Sequence, residues 1–322
     1  MINKIKEDCM KKAIMTTLAL LFFVTAHAAE ESVTLTTSTG DIHGVLLTPE
    51  CEEACPLVII IAGSGPTDMN GNTIGSELQG NSLKMLAEGL AAKGIASIRY
   101  DKRGIGKSAS AGTSEAELRF EHYIDDAAAW ADKFGADNRF NTIAIAGHSE
   151  GSLIGMVAAQ KSKAVKAYIS IAGCGRAAHE VIEEQLQRQP EQIRNEAAAI
   201  NRELLQGRTV EDVPNYLAAL YRNSVQPYLI SWFRYNPANE IAKLKIPVLI
   251  IQGDKDIQVG VKDAECLYMA RMFSSYHVIA DMNHVLKHCE SSDMFTQLET
   301  YKNPELPIKS ELVEHIAKFI KQ

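Results

Sequence analysis

Four stretches of the chain are apolar almost without interruption and rich in β-branched residues. They are "PLVIIIAG" (56–63), "TIAIAG" (142–147), "AVKAYISIAG" (164–173) and "IPVLIIQG" (246–253). Runs of this length, each closed by a glycine, predict strands buried on both faces. "IASIRY" (95–100) and the segment 275–279 predict shorter strands of the same set. Between them the apolar spacing changes to that of helices, over 82–93 with Gly94 as the stop, 150–161, 260–272 and 309–321. Ser114 and Glu117 carry the spacing of a capping box and predict a helix from there to Phe134. The leading segment "VTLTTSTGDIHGVLLTP" (33–49) alternates apolar and polar residues about Thr39-Gly40 and predicts an antiparallel hairpin.

Strands alternating with helices imply an α/β fold, with a mostly parallel central sheet and helices on both faces. The rhythm breaks at 176–243, which is rich in Glu, Gln, Arg and Ala and contains no strand pattern. This block is expected to be an inserted helical cap above a core made of 29–175 and 244–322. Residues 1–28 have the form of a signal peptide. Lysines precede the apolar run "AIMTTLALLFFVTA", and Ala26-His27-Ala28 resembles a cleavage site. The run is shorter than the ~20 residues of a spanning helix, so export to the periplasm or medium without a lasting membrane anchor is expected.

The formal net charge is −7, and the basic leader makes the remainder more acidic still. Such a surface argues against nucleic acid and anionic membrane as partners. Cys51, Cys55, Cys174, Cys266 and Cys289 follow the leader, and in an exported protein Cys51–Cys55 and Cys266–Cys289 could pair. The C-x3-C spacing has no neighbouring His pair, so no metal is expected. Neither glycine-rich loop carries the P-loop spacing, and nothing calls for a cofactor.

The candidate chemistry lies after the strands. "GHSEG" follows strand 142–146 and opens a helix, which places Ser149 on a strand–turn–helix elbow with glycines to relieve crowding. Alone, G-x-S-x-G arises by chance in roughly one chain in ten of this length. Acyl transfer by serine also needs a base, a carboxylate to orient it and N–H groups facing the oxyanion. "GDKD" follows strand 247–252 and offers Asp256, with Asp254 as rival. "ADMNHVLK" follows strand 275–279 and offers His284, with His288 as rival. The N–H of Glu150, at a helix start, is one expected oxyanion donor. The loop "AGSGPTDMNGN" supplies the other, from Ser64 or alternatively Gly65.

The stretches "GSGPTDMNGN", "RYDKRGIGKS", "GHSEG", "PVLIIQGDKDIQV" and "MNH" together resemble the α/β-hydrolase superfamily. They look most like its bacterial esterase and serine-aminopeptidase-like branch with a helical cap. The resemblance implies Ser149 as nucleophile, His284 as base then acid, and Asp256 as the orienting carboxylate. It also implies that Asp101–Ser108 is a structural loop beside the site, with Arg103 as a buried anchor. Ala62 departs from the family's common histidine at the start of the first loop. The implied activity is hydrolysis of small or short-acyl carboxylic esters, with aminopeptidase, thioesterase or acyltransferase activity as alternatives. The aromatic cluster Tyr228, Trp232, Phe233 and Tyr235 reads either as packing of the cap or as the wall of an acyl or alcohol pocket.

Overall fold

A computed structural model describes residues 28–112 and 114–322. The leader expected over 1–28 therefore lies outside the described residues except for Ala28. The sheet has eight strands: β1 (Ala29–Thr37), β2 (Gly40–Thr48), β3 (Cys55–Ile61), β4 (Ala96–Tyr100), β5 (Phe140–His148), β6 (Val165–Ile171), β7 (Val248–Gly253) and β8 (Ser275–Ile279). Their order is β1-β2-β4-β3-β5-β6-β7-β8. The β1–β2 hairpin and the β2–β4 pair are antiparallel, and every other pair is parallel.

The continuous apolar runs are divided by the pleat. Leu57, Ile59 and Ile61 of β3 join one core with Ile143 and Ile145, while Val58 and Ile60 join the opposite core with Ala144 and Ala146. Helices α1 (Ser82–Ala92) and α11 (Ser310–Ile320) cover the second face through Leu83, Leu86, Leu90, Leu312 and Ile316. Helices α2 (Phe120–Gly135) and α3 (Glu150–Lys161) cover the first through Phe120, Trp130 and Ile154. A strand with no polar face requires this double cover, so the sequence pattern and the layered architecture are one statement.

Residues 176–243 hold α4 (Ala178–Gln185), α5 (Glu191–Leu205), α6 (Ala218–Tyr221), α7 (Gln226–Trp232) and α8 (Pro237–Lys243), with no strand among them. α9 (Val261–Ala270) and α10 (Met294–Lys302) complete the set. Among the described residues, no helix is long and apolar enough to cross a membrane.

Three expectations change. The Ser114–Glu117 box caps only the short 3-10 turn Glu115–Glu117. Leu118 and Arg119 are extended, and α2 begins at Phe120, where Ser231 Oγ accepts the Phe120 N–H at 2.8 Å. α10 is not among the helices that the sequence pattern predicts, because its short turns lack a clear apolar stripe. Its cap is Asp293, which accepts the Thr296 N–H.

The third change concerns the cysteines, all five of which carry free thiols. Burial first, and the neighbouring Cys51 second, push the Cys55 thiol up to about 11. Cys266 packs beneath Gly175, whereas the Cys289 thiol points to the Ser291 carbonyl at 3.3 Å.

Candidate active site

Ser149 sits at φ 56°, ψ −123°, a strained conformation that a non-glycine residue adopts at a cost of about 1–3 kcal/mol. Two glycines make the turn possible. A Cβ on Gly147 would lie 2.1 Å from the Gly151 carbonyl oxygen, and one on Gly151 would lie 2.4 Å from that of Ile61. The Ser149 N–H is held by the Ile171 carbonyl at 3.0 Å, and the Ser149 carbonyl accepts from Ser152 N–H at 2.9 Å. The strain is therefore fixed from both sides by β6 and α3.

Asp256 follows β7 and is almost wholly buried. Burial alone would raise its carboxyl, but His284 and the amides of Val259 and Gln258 overcome this and hold it below its ordinary range. Gln252 Nε2 donates to it as well, at 3.0 Å. The ionised carboxylate can only accept, so His284 Nδ1 carries the proton in the 2.7 Å bond to Asp256 Oδ2. That leaves Nε2 of His284 as the basic nitrogen. Ser149 and His284 line one cavity of about 220 Å³, together with Gly63, Ser64, Gln258 and Tyr301.

The rivals are accounted for. Asp254 accepts the Asp281 N–H at 2.6 Å and forms a surface pair with Lys255, which makes it a loop tie. His288 is half exposed beside Glu290.

Several supporting groups surround the site, and of them only the Asp101–Ser108 loop with Arg103 was expected from the sequence. His148 is 8% exposed and donates its Nε2–H to the His284 carbonyl at 2.8 Å, with the two rings 4.9 Å apart. Burial first, and the facing His284 second, hold it down at about 4, so it stays neutral around pH 7. Asp101 ties the two glycine-rich loops by accepting the N–H groups of Met69 and Lys107, both at 2.8 Å. Arg103 is the anchor expected of it, with Nε and Nη2 on Asp126 at 3.1 and 2.5 Å. Lys102 reaches the Gly63 carbonyl at 2.5 Å and Glu150 Oε1 at 3.3 Å. Most of these partners come from segments well separated in the chain, and only the fold brings them together.

The aromatic cluster packs the insertion onto α2. Phe120 stacks on Trp232 at 5.8 Å and meets Tyr235 and Tyr228 at 5.4 and 6.1 Å. Tyr228 also lines a second cavity of about 360 Å³ with Lys102, Tyr123 and Glu150.

This sheet order, with its elbow and its Asp–His pair at neighbouring strand ends, is that of the α/β-hydrolase fold. Residues 77–225 match the family described as serine aminopeptidase, S33. Esterase EstD of Thermotoga maritima is 27% identical over 298 residues, which cover 88% of this chain and 66% of that protein. The chain thus spans just under two thirds of that relative's length. Est1E from Butyrivibrio proteoclasticus, solved with ferulic acid bound, superposes with a TM-score of 0.59 at 19% identity, covering 90% of this chain and 100% of that one. Dipeptidyl peptidase 4 of Porphyromonas gingivalis superposes with a TM-score of 0.55 at 15% identity, covering 92% of this chain and 35% of that one. One fold thus hosts esterases and a peptidase, so the choice between them rests on the site.

Proposed function

We propose that this chain is a serine carboxylesterase acting on small, uncharged esters. The observation that carries the reading is the strained Ser149 elbow sharing a cavity with a His284 whose tautomer is set by Asp256. Ser149 Oγ attacks the ester carbonyl carbon, and its proton passes to His284 Nε2. The N–H groups of Ser64 and Glu150 hold the oxyanion. As the C–O bond to the alcohol breaks, His284 returns the proton to the leaving oxygen. Water, deprotonated by His284, then attacks the acyl-enzyme and releases the acid and free Ser149.

The small substrate follows from space. A cavity of about 220 Å³ lies below the ~300–1,000 Å³ common for drug-sized ligands. Preference for esters over peptides follows from charge, since a peptidase gripping a free amino terminus needs an uncommitted carboxylate. The acids near the site are committed: Glu150 to Lys102, Glu115 to Arg222, Glu184 to Arg176 and Lys262, and Glu183 to Asn201. The likeness to EstD and Est1E supports the same reading.

Purified protein is expected to hydrolyse p-nitrophenyl acetate and butyrate faster than the long-chain esters, and to leave aminoacyl p-nitroanilides untouched. Ser149→Ala should reduce ester turnover by about 10⁶-fold. Turnover retained in that variant, or faster cleavage of the anilides, would overturn the proposal. Export follows from the leader read in the sequence. Amino-terminal sequencing of the protein from the periplasm or medium should begin at Ala29, and an intact leader there would refute cleavage.

A further inference from the structure

Lys102 is among the most deeply buried charges in the chain, with 2% of its side chain exposed. It comes from the loop after β4, yet the ammonium's contacts with Gly63, Glu150 and Tyr123 all belong to other segments. Its ammonium donates to the carbonyl of Gly63, where the chain leaves β3, at 2.5 Å. It donates to Oε1 of Glu150, the first residue of α3, at 3.3 Å. The ring of Tyr123 on α2 lies 4.9 Å away and covers the charge. One ammonium thus joins the two segments that carry the proposed oxyanion donors.

The bond to Gly63 has a geometric consequence. In a trans peptide the carbonyl and the following N–H point in opposite directions, and the chain contains no cis peptide among its described residues. Drawing the Gly63 carbonyl toward Lys102 turns the Ser64 N–H away from it. Two cavities flank this strip. Lys102, Gly65 and Glu150 line the larger one, whereas Gly63, Ser64 and Ser149 line the other. The side away from Lys102 is therefore the side of Ser149. A Cβ built on Gly63 would stand 3.1 Å from that of Ser149, so this peptide abuts the nucleophile directly. Ser64 and Gly65 are exposed, and a Gly-Ser-Gly segment has little steric preference of its own.

We propose that Lys102 is a positioning residue that locks the Gly63–Ser64 peptide with its N–H facing the oxyanion. This rests on the esterase reading above, in which the Ser64 N–H is a donor. Preorganisation is what makes such donors effective, and losing one costs about 10²–10³-fold in kcat.

Lys102→Met keeps the stem but removes the ammonium. It also strands the Glu150 carboxylate in the interior, so Lys102→Met/Glu150→Gln is the decisive companion. In both variants, kcat for p-nitrophenyl butyrate should fall about 10²-fold while KM changes less than about threefold. Affinity for a trifluoromethyl ketone, whose adduct with Ser149 places an oxyanion in the hole, should fall in parallel. A crystal structure of the double variant should show the Gly63–Ser64 peptide turned over. A folded double variant with wild-type kcat and ketone affinity would overturn the role of Lys102 alone, and so would a loss confined to KM. Wild-type protein that neither hydrolyses esters nor binds the ketone would overturn the catalytic reading, and the lock with it.

Discussion

The floor of the site and the helical block 176–243 are held by different forces. Beneath Ser149, polar ties are buried: Lys102 with Glu150, Arg103 with Asp126, and His148 with the His284 carbonyl. In and around that block most ion pairs are exposed, as with Arg222 and Glu115, Lys262 and Glu184, and Arg208 and Glu203, while Arg176 on the buried Asp263 is an exception. Attachment of the insertion comes mainly from rings, with Trp232, Tyr228 and Tyr235 around Phe120. Buried ties have one geometry and break at high cost, whereas exposed pairs contribute roughly 0–1 kcal/mol and yield to salt. The floor is thus built for fixed positions. The block 176–243 contributes no residue to the lining of the Ser149 cavity, so its surface can change without disturbing that floor.

The sharpest test of the floor is Asp256→Asn. The amide can donate as well as accept, so His284 loses the tautomer with its basic nitrogen toward the cavity. Turnover should fall by about 10⁴-fold with the fold intact, as read by kcat beside circular dichroism. A loss below tenfold would mean that Asp256 does not orient His284.

Arg103→Met should be the most damaging of the stability changes. It leaves Asp126 buried without its guanidinium, and about 3–5 kcal/mol of unfolding free energy should be lost in urea titration. A loss under 1 kcal/mol would place this pair with the surface ones.

His148 gives the floor a pH signature. The unfolded imidazole protonates at 6.5, but in the folded protein burial and His284 delay this to about 4. The unfolded state therefore binds more protons between these values. Its contribution is whole above pH 6.5 and falls as the pH drops toward 4, by up to about 3 kcal/mol. His148→Gln should flatten this part of the stability curve, and equal acid sensitivity in both proteins would remove His148 as its source.

The smallest effect belongs to the insertion. Glu115→Gln loses the ion pair with Arg222 and weakens the contact with Ser224 Oγ. It should cost under about 1 kcal/mol, and 0.5 M salt should erase the difference from the parent. A larger, salt-resistant loss would show that this surface pair is a structural tie after all.

The strands were legible because a parallel sheet covered on both faces needs uninterrupted apolar runs, and β3, β5, β6 and β7 have them. Ser149 and Asp256 could be singled out because each lies within three residues of the end of such a run, and His284 because it follows the shorter strand β8. The start of α2 was misplaced, since a capping box also suits a single 3-10 turn, and tertiary contact with Ser231 decides where the longer helix begins. Neither expected disulfide is formed in the structure, where Cys51, Cys55, Cys266 and Cys289 are all free thiols.

Local pattern by itself determined the layered α/β architecture, the order of strands and helices along the chain, and which residues stand at strand ends. Those depend on the period of hydrophobicity and on glycine, both of which can be read within a dozen residues. Only the tertiary structure decided that Lys102 meets Gly63 and Glu150, that His148 holds the His284 loop, and that the acids near the site are already paired. Each of these contacts joins segments far apart in the chain, so no local pattern can announce it, and a buried polar group takes as its partner whatever the fold places within reach.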